Sequence, residues 1–119
     1  MYQRVMVIDV DGISELHLND DNLLDAIHDV LLGGYFEIVR CINLPKGVLM
    51  LVDDCGVLKN LPINLLASRL YGDLICGTAI IMREYTNADG EPDITGLNSY
   101  DFNRVLRSIH NVMFKGGVD

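Results

Sequence analysis

The sequence predicts an α+β domain: an antiparallel or mixed sheet of about five strands with three helices packed on it, in the order β-β-α-β-β-α-β-α. Three observations carry this. Short β-branched and aromatic runs alternate with segments whose apolar residues recur every three to four positions. Turn dipeptides and glycine breaks separate these segments at hairpin-like intervals. The 119 residues are 50% hydrophobic with mean hydropathy +0.24, enough for one full core, so residues 1–119 are read as a single domain.

The elements follow in order. Val5 to Val10 is a β-branched run and predicts a strand. Asp11-Gly12 is a turn dipeptide, and Ile13 to Leu18 alternates apolar with polar residues, which makes a β-hairpin. Asn19 or Asp20 caps a helix running to about Leu32. Leu23, Leu24, Ile27, Val30 and Leu31 form its apolar face, and Asp21, Asp25 and Asp29 form an acidic one. Gly33-Gly34 ends it. Tyr35 to Ile42 predicts a strand, residues 43–47 a turn, and Val48 to Val52 a strand apolar on both faces and therefore central. Asp53-Asp54-Cys55-Gly56 turns the chain, and Val57-Leu58-Lys59 is a short extended piece.

Asn64 then caps a short helix to Tyr71, with Leu65, Leu66 and Leu70 apolar, and Gly72-Asp73 breaks it. Leu74 to Met82 is a near-continuous apolar strand in which Gly77 marks a bulge or a close backbone approach. Thr86 to Gly96 is polar and predicts a loop. Asn98 or Ser99 caps the last helix, which runs to about Phe114. Phe102, Val105, Leu106, Ile109 and Met113 form its expected buried stripe, with Arg104, Arg107 and Asn111 opposite, and Gly116-Gly117 ends it.

Composition removes several function classes. Nine Lys and Arg against seventeen Asp and Glu give a net charge of −8, unsuited to general nucleic-acid binding. No apolar stretch approaches the ~20 residues of a membrane span, and Met1-Tyr2-Gln3-Arg4 does not open an apolar secretory leader. Cys41, Cys55 and Cys76 are odd in number and widely spaced, which predicts reduced thiols rather than a disulfide framework or a zinc site. The charge is asymmetric: residues 1–58 hold ten acids and three bases, residues 59–119 seven acids and six bases. The acidic first half can meet a basic partner or serve solubility.

One string has chemistry attached. Val7-Ile8-Asp9-Val10-Asp11-Gly12 resembles the first motif of haloacid-dehalogenase-like phosphatases, in which Asp9 would be the nucleophile and Asp11 the acid/base. Leu51-Val52-Asp53-Asp54 mimics the acidic metal motif of that family. Ile13 stands where that family has Thr, Lys46 is the only lysine between the two motifs, and a chain with two hairpins cannot build its parallel sheet. A hairpin turn accounts for Asp11-Gly12. His17, His28 and His110 sit in separate elements without metal-ligand spacing, although His28 can reach Asp25 on one helix. Ser14, Ser68, Ser99 and Ser108 lie in no nucleophile elbow. No catalytic set, metal or cofactor is expected. In Leu61-Pro62-Ile63-Asn64, Asn64 serves either as a helix cap or as an amide that reads a ligand beside Asp53, Asp54 or Arg69.

Several segments together resemble a family of small phage and mobile-element bacterial domains of unknown function. They are Gly33-Gly34-Tyr35-Phe36-Glu37, Leu51-Val52-Asp53-Asp54-Cys55-Gly56, Leu61-Pro62-Ile63-Asn64 with Ala67, and Ile75-Cys76-Gly77. The pattern is GGYxE, D(D/E)xG, LPxN and IxG, and Asp54 replaces its Glu. The resemblance covers roughly residues 20 to 82 and brings no activity. It implies an accessory protein acting in the cytoplasm of a bacterial host, of a kind that often inhibits a defence enzyme.

Two expectations follow. The first is a non-enzymatic protein that binds a host protein with a basic surface through Asp21, Asp25 and Asp29. The alternative is a sponge for a small nucleotide signal, held by Arg69, Arg83, Tyr85, Arg104 and Arg107. The apolar 74–82 strand and the aromatic residues are compatible with a homo-oligomer.

Overall fold

The computed structural model describes residues 1–31, 33 and 35–114. Six strands and three α-helices are found among them: β1 Tyr2–Asp9, β2 Gly12–Asn19, α1 Leu23–Val30, β3 Phe36–Val39, β4 Val48–Asp53, α2 Leu65–Tyr71, β5 Ala79–Thr86, β6 Pro92–Thr95 and α3 Ser99–Phe114. The fold is α+β. Every strand pairing is antiparallel, in the order β2-β1-β5-β4-β3, with β6 also on β5. Arg83 pairs with Val48 on one edge of β5 and with Thr95 on the other, so β6 continues the β1 side of the sheet.

The core has two halves, one on each face of the sheet. Val5, Val7, Leu49, Leu51, Ile80 and Met82 meet Ile27 and Leu31 of the α1 segment. Met6, Ile8, Met50, Val52, Ala79 and Ile81 meet Ala67 and Leu70 of α2 and Val105, Ile109 and Val112 of α3. The two-residue alternation of strand side chains produces this split. It also explains why all six residues of β4 are buried, as expected for a central strand.

The caps of α2 and α3 match the sequence, whereas α1 begins only at Leu23, after Asn22, whose side chain makes no cap bond. Asn19 accepts from the Asp21 amide and opens a single 3-10 turn, Asp20–Asn22, ahead of α1. Asn64 Oδ1 accepts from the Ala67 amide at 3.1 Å. Asn98 and Asp101 cap α3 reciprocally, each side chain accepting from the other's backbone amide.

Several expectations are corrected. The polar 86–96 stretch contains β6, whose residues gain order by pairing with the end of β5 rather than by their own propensity. β5 begins at Ala79, not Leu74; Ile75 and Cys76 are buried but make only an isolated bridge, Ile63 to Cys76. Residues 57–59 form turns rather than an extended piece. The α3 stripe is rotated: Asp101, Val105, Ile109 and Val112 are buried, while Leu106 and Met113 are exposed. Leu24 of α1 is exposed as well. Gly33 takes the left-handed conformation after α1, at φ 82°. Leu32, Gly34 and Gly116-Gly117 lie outside the described residues.

Candidate functional site

Asp21, Asp25 and Asp29 are all exposed. Asp25 and Asp29, four apart on α1, share the side turned away from Ile27, whereas Asp21 precedes the helix in the 3-10 turn Asp20–Asn22. Among the described residues, no Lys or Arg lies within ion-pair distance of any of the three. Like charges four apart on a helix destabilise it, and Asp29 sits at the negative end of the helix dipole. Asp25 and Asp29 therefore oppose helix stability locally, with no Lys or Arg partner among the described residues to offset them. His28 on the same helix packs edge-on against the rings of Tyr35 and Phe36, with centroids 5.9 and 6.0 Å away.

A second acidic region lies at one end of the sheet. β1 and β4 each run antiparallel to β5 between them, so Asp9 and Asp53 emerge at the same end. Together with Val10, Asp11, Leu31, Leu61, Pro62, Gly77 and Thr78 they line a cleft of about 250 Å³. Described residues of the segments that carry the sequence resemblance meet here. Asn64 Nδ2 donates to the carbonyls of Ile8 and Gly77, both at 2.9 Å. The Gly77 amide donates to Pro62, the Asn64 amide to Ile75, the Leu61 amide to Gly56 and the Asp54 amide to Tyr35. Gly56 lies flat against Cys76; a Cβ there would stand 2.4 Å from the Cys76 carbonyl oxygen. Gly77 adopts φ 94° with Leu61 over it, which is the close approach its position in the sequence signals.

Most polar groups at this end are already engaged. Both amide hydrogens and the oxygen of Asn64 have partners, which answers the sequence alternative in favour of the cap. Asp9 Oδ1 accepts from the amides of Asp11 and Gly12, so this carboxylate holds the hairpin turn. The all-antiparallel sheet differs from the parallel sheet of the phosphatases that the Asp9 string resembles. Asp53 is buried, and it accepts from Lys59 Nζ at 2.7 Å and from the Cys55 amide at 2.8 Å. Burial works to raise its pKa, but the Lys59 and Cys55 hydrogen bonds and the Lys59 charge outweigh it and bring it below the ordinary value. Asp53, Asp54 and Cys55 place three ligand-type atoms within 4.8 Å of one another. Lys59 already neutralises Asp53, and the hydrogen bond and charge of Asp54 push the Cys55 thiol up, away from the thiolate a metal takes.

The five residues of the cationic alternative are partly brought together. Arg83 and Arg104 both approach the buried carboxylate of Asp101, at 3.3 and 3.7 Å. Arg83 Nε is buried and within ion-pair distance of Asp101, but the pair is not aligned as a hydrogen bond. Arg104 also lies over the Tyr100 ring and donates to the Lys46 carbonyl. Tyr85 follows on β5 two residues after Arg83, on the same face, and its hydroxyl meets Asp93. Arg107 is exposed one turn beyond Arg104. Arg69 lies on α2, where its carbonyl accepts from Asn43, and it does not join this group.

Three interacting residues were not singled out in the sequence. Asp101 is one, and the Asn98-to-Asp101 spacing of a capping pair is the usable signal for it. Lys59 carried no local sign of its pairing with Asp53. Arg4 stacks on the Phe102 ring at 4.0 Å and bonds Glu15, contacts that only the fold creates.

Comparison with known proteins gives one family. The profile of the domain of unknown function DUF3846 matches residues 3–110. No curated protein matches the chain. A solved structure titled as the small RNA methyltransferase HEN1 is similar in fold, with TM-score 0.60 and 18% identity. The likeness covers 94% of this chain but 17% of that one, and it concerns the fold alone.

Proposed function

The chain belongs to the DUF3846 family of domains of unknown function, and from that premise we propose that it is a non-enzymatic accessory protein of a phage or mobile element. It docks on a basic surface of a host protein through the acidic residues of the α1 segment, and a defence enzyme is the class of target this reading favours. It acts in the host cytoplasm. The observation that carries the reading is this acidic group itself. Asp21, Asp25 and Asp29 are exposed and without a Lys or Arg partner among the described residues; Asp25 and Asp29 share one side of α1, and Asp21 stands in the turn that leads into it. Such a group supports docking on Lys and Arg side chains, where its charge would steer encounter and set register.

The nucleotide-sponge alternative is less favoured, because Asp101 already occupies Arg83 and Arg104. It keeps Arg107 as an exposed group, while the Tyr85 hydroxyl is met by Asp93.

The test is quantitative capture from a bacterial lysate, followed by affinity measurement with the captured partner. Replacing Asp21, Asp25 and Asp29 together by Lys is expected to weaken binding by about tenfold or more. A control with Asp73, Asp89 and Glu91 replaced by Lys carries the same charge change elsewhere and is expected to bind normally. Equal affinity of both variants would refute the assignment of this face.

A further inference from the structure

The outer edge of β2 is open, and its chemistry is self-complementary. β2 is eight residues long, ends the sheet, and among the described residues pairs with β1 alone. Its first six residues are all exposed, including the apolar side chains of Ile13 and Leu16. Its register against β1 is continuous from Tyr2 opposite Asn19 to Asp9 opposite Gly12, without a bulge or a proline. Proteins normally guard a sheet edge by shortening it, kinking it or placing proline on it. The other edges here follow that rule: β3 has four residues, and β6 has four and begins at Pro92. Among the described strands, β2 is the edge that is long and without a bulge or proline.

The backbone pattern says which groups that edge offers. Asp9 and Gly12 flank a two-residue hairpin loop and so form a hydrogen-bonded pair. Hydrogen-bonded pairs recur at every second position, and the Asp20 amide bonding Met1 at 3.0 Å extends the same phase past the strand end. The even residues of β2 therefore bond β1. Ile13, Glu15, His17 and Asn19 aim their amides and carbonyls outward.

A second copy pairing antiparallel on this edge must match odd residue with odd residue. A two-fold axis at Glu15 sets two carboxylates face to face, and an axis at His17 sets two imidazoles face to face while shortening the overlap. An axis at Leu16 uses residues 13 to 19 in full. It places Leu16 against Leu16 as the close, non-hydrogen-bonded pair, and Glu15 opposite His17 of the copy, twice; within each chain Glu15 already pairs with His17 at 2.7 Å and with Arg4 at 3.0 Å, so the two copies join these pairs into one alternating network.

We propose that the chain forms a two-fold dimer by antiparallel pairing of β2 with β2 of a second copy about Leu16, joining the two sheets into one. This does not depend on the partner assigned to α1.

Cross-linking tests the register directly. A non-hydrogen-bonded pair holds its Cα atoms about 4.5 Å apart, within disulfide range, whereas Ser14 lies two residues from the axis on each chain. In a chain whose Cys41, Cys55 and Cys76 are replaced by Ala, Leu16→Cys is expected to give a disulfide dimer on mild oxidation, and Ser14→Cys to give none. Light scattering and sedimentation of the unmodified chain are expected to show twice the 13.3 kDa chain mass. Glu15→Lys alone and His17→Glu alone are expected to weaken the dimer by about tenfold, and the two together to restore it. Circular dichroism of each variant reports whether the fold is kept. A monomer at every concentration, cross-linking at Ser14 rather than Leu16, or a charge swap that fails to restore association in folded protein each overturns the proposal.

Discussion

The side-chain amide of Asn64 donates to the backbone carbonyl of Ile8, fifty-six residues earlier in the chain, at 2.9 Å. Asn64 thus caps α2 and ties its start to the end of β1, while its second amide hydrogen ties both to Gly77 ahead of β5. One buried side chain closes the end of the sheet that carries Asp9 and Asp53.

Replacing Asn64 tests this closure. Asn64→Ala leaves two carbonyls and one amide without partners, and at roughly 1 to 3 kcal/mol for each buried unsatisfied group the loss is expected to be about 3 kcal/mol or more. Asn64→Asp is expected to be worse than Ala despite keeping the cap, because a carboxylate would face the carbonyls of Ile8 and Gly77. Urea denaturation midpoints rank the three proteins; an Asp variant as stable as the parent would contradict the donor assignment.

Gly56 and Gly90 separate crowding from backbone freedom. Gly56→Ala forces a Cβ to 2.4 Å from the Cys76 carbonyl, so the 56 turn and the 76 segment must part. Gly90→Ala meets nothing within 4 Å and has only the strain of φ 80°, on the order of 1 kcal/mol. The Gly56 variant is expected to lose several times more stability than the Gly90 variant in thermal unfolding.

Asp53 makes the stability depend on pH in a definite direction. Its pKa in the folded chain lies below the ordinary value of 3.8, since the Lys59 and Cys55 hydrogen bonds outweigh the penalty of burial. A depressed carboxyl pKa adds stability above the unfolded pKa, and that contribution disappears as pH falls through the folded value. Acid unfolding of Asp53→Asn is therefore expected to show a shallower slope below about pH 4 than that of the parent. Identical slopes would show that this carboxylate is not held by its partners.

Asp101 holds Arg83 and Arg104 away from other anions. Asp101→Ala is expected to lose about 2 kcal/mol or more, from an abandoned ion pair and a lost cap. It also bears on the nucleotide alternative. If these arginines belong to a phosphate site, the parent chain binds nucleotides measurably by calorimetry despite Asp101. If Asp101 is simply their structural partner, only the variant acquires weak affinity for polyphosphate.

The hairpin of β1 and β2, the central strand β4 and the three helices were legible in the sequence. Their signals are local: residue alternation, a helical apolar period and a capping side chain next to the helix it caps. Val48 to Val52 declares a central strand because every residue is apolar, and Asn64 and Asn98 declare helix starts because the amides they accept from are three residues away. The spacing that sets Asp25 and Asp29 on one side of α1 was equally plain, whereas Asp21 falls in the 3-10 turn before the helix, which the same spacing did not reveal. Tertiary structure decided the rest. β6 is ordered only because β5 extends past β1 and offers a free edge, and α3 turns Asp101 inward rather than Leu106 because Arg83 lies beneath it. Asn64 becomes a structural latch rather than a ligand-reading amide because Ile8 and Gly77 arrive beside it. The physical division is one of range: torsional preference and periodicity act between near neighbours, whereas burial of a charge or an amide is settled by whichever distant groups the folded sheet brings into reach.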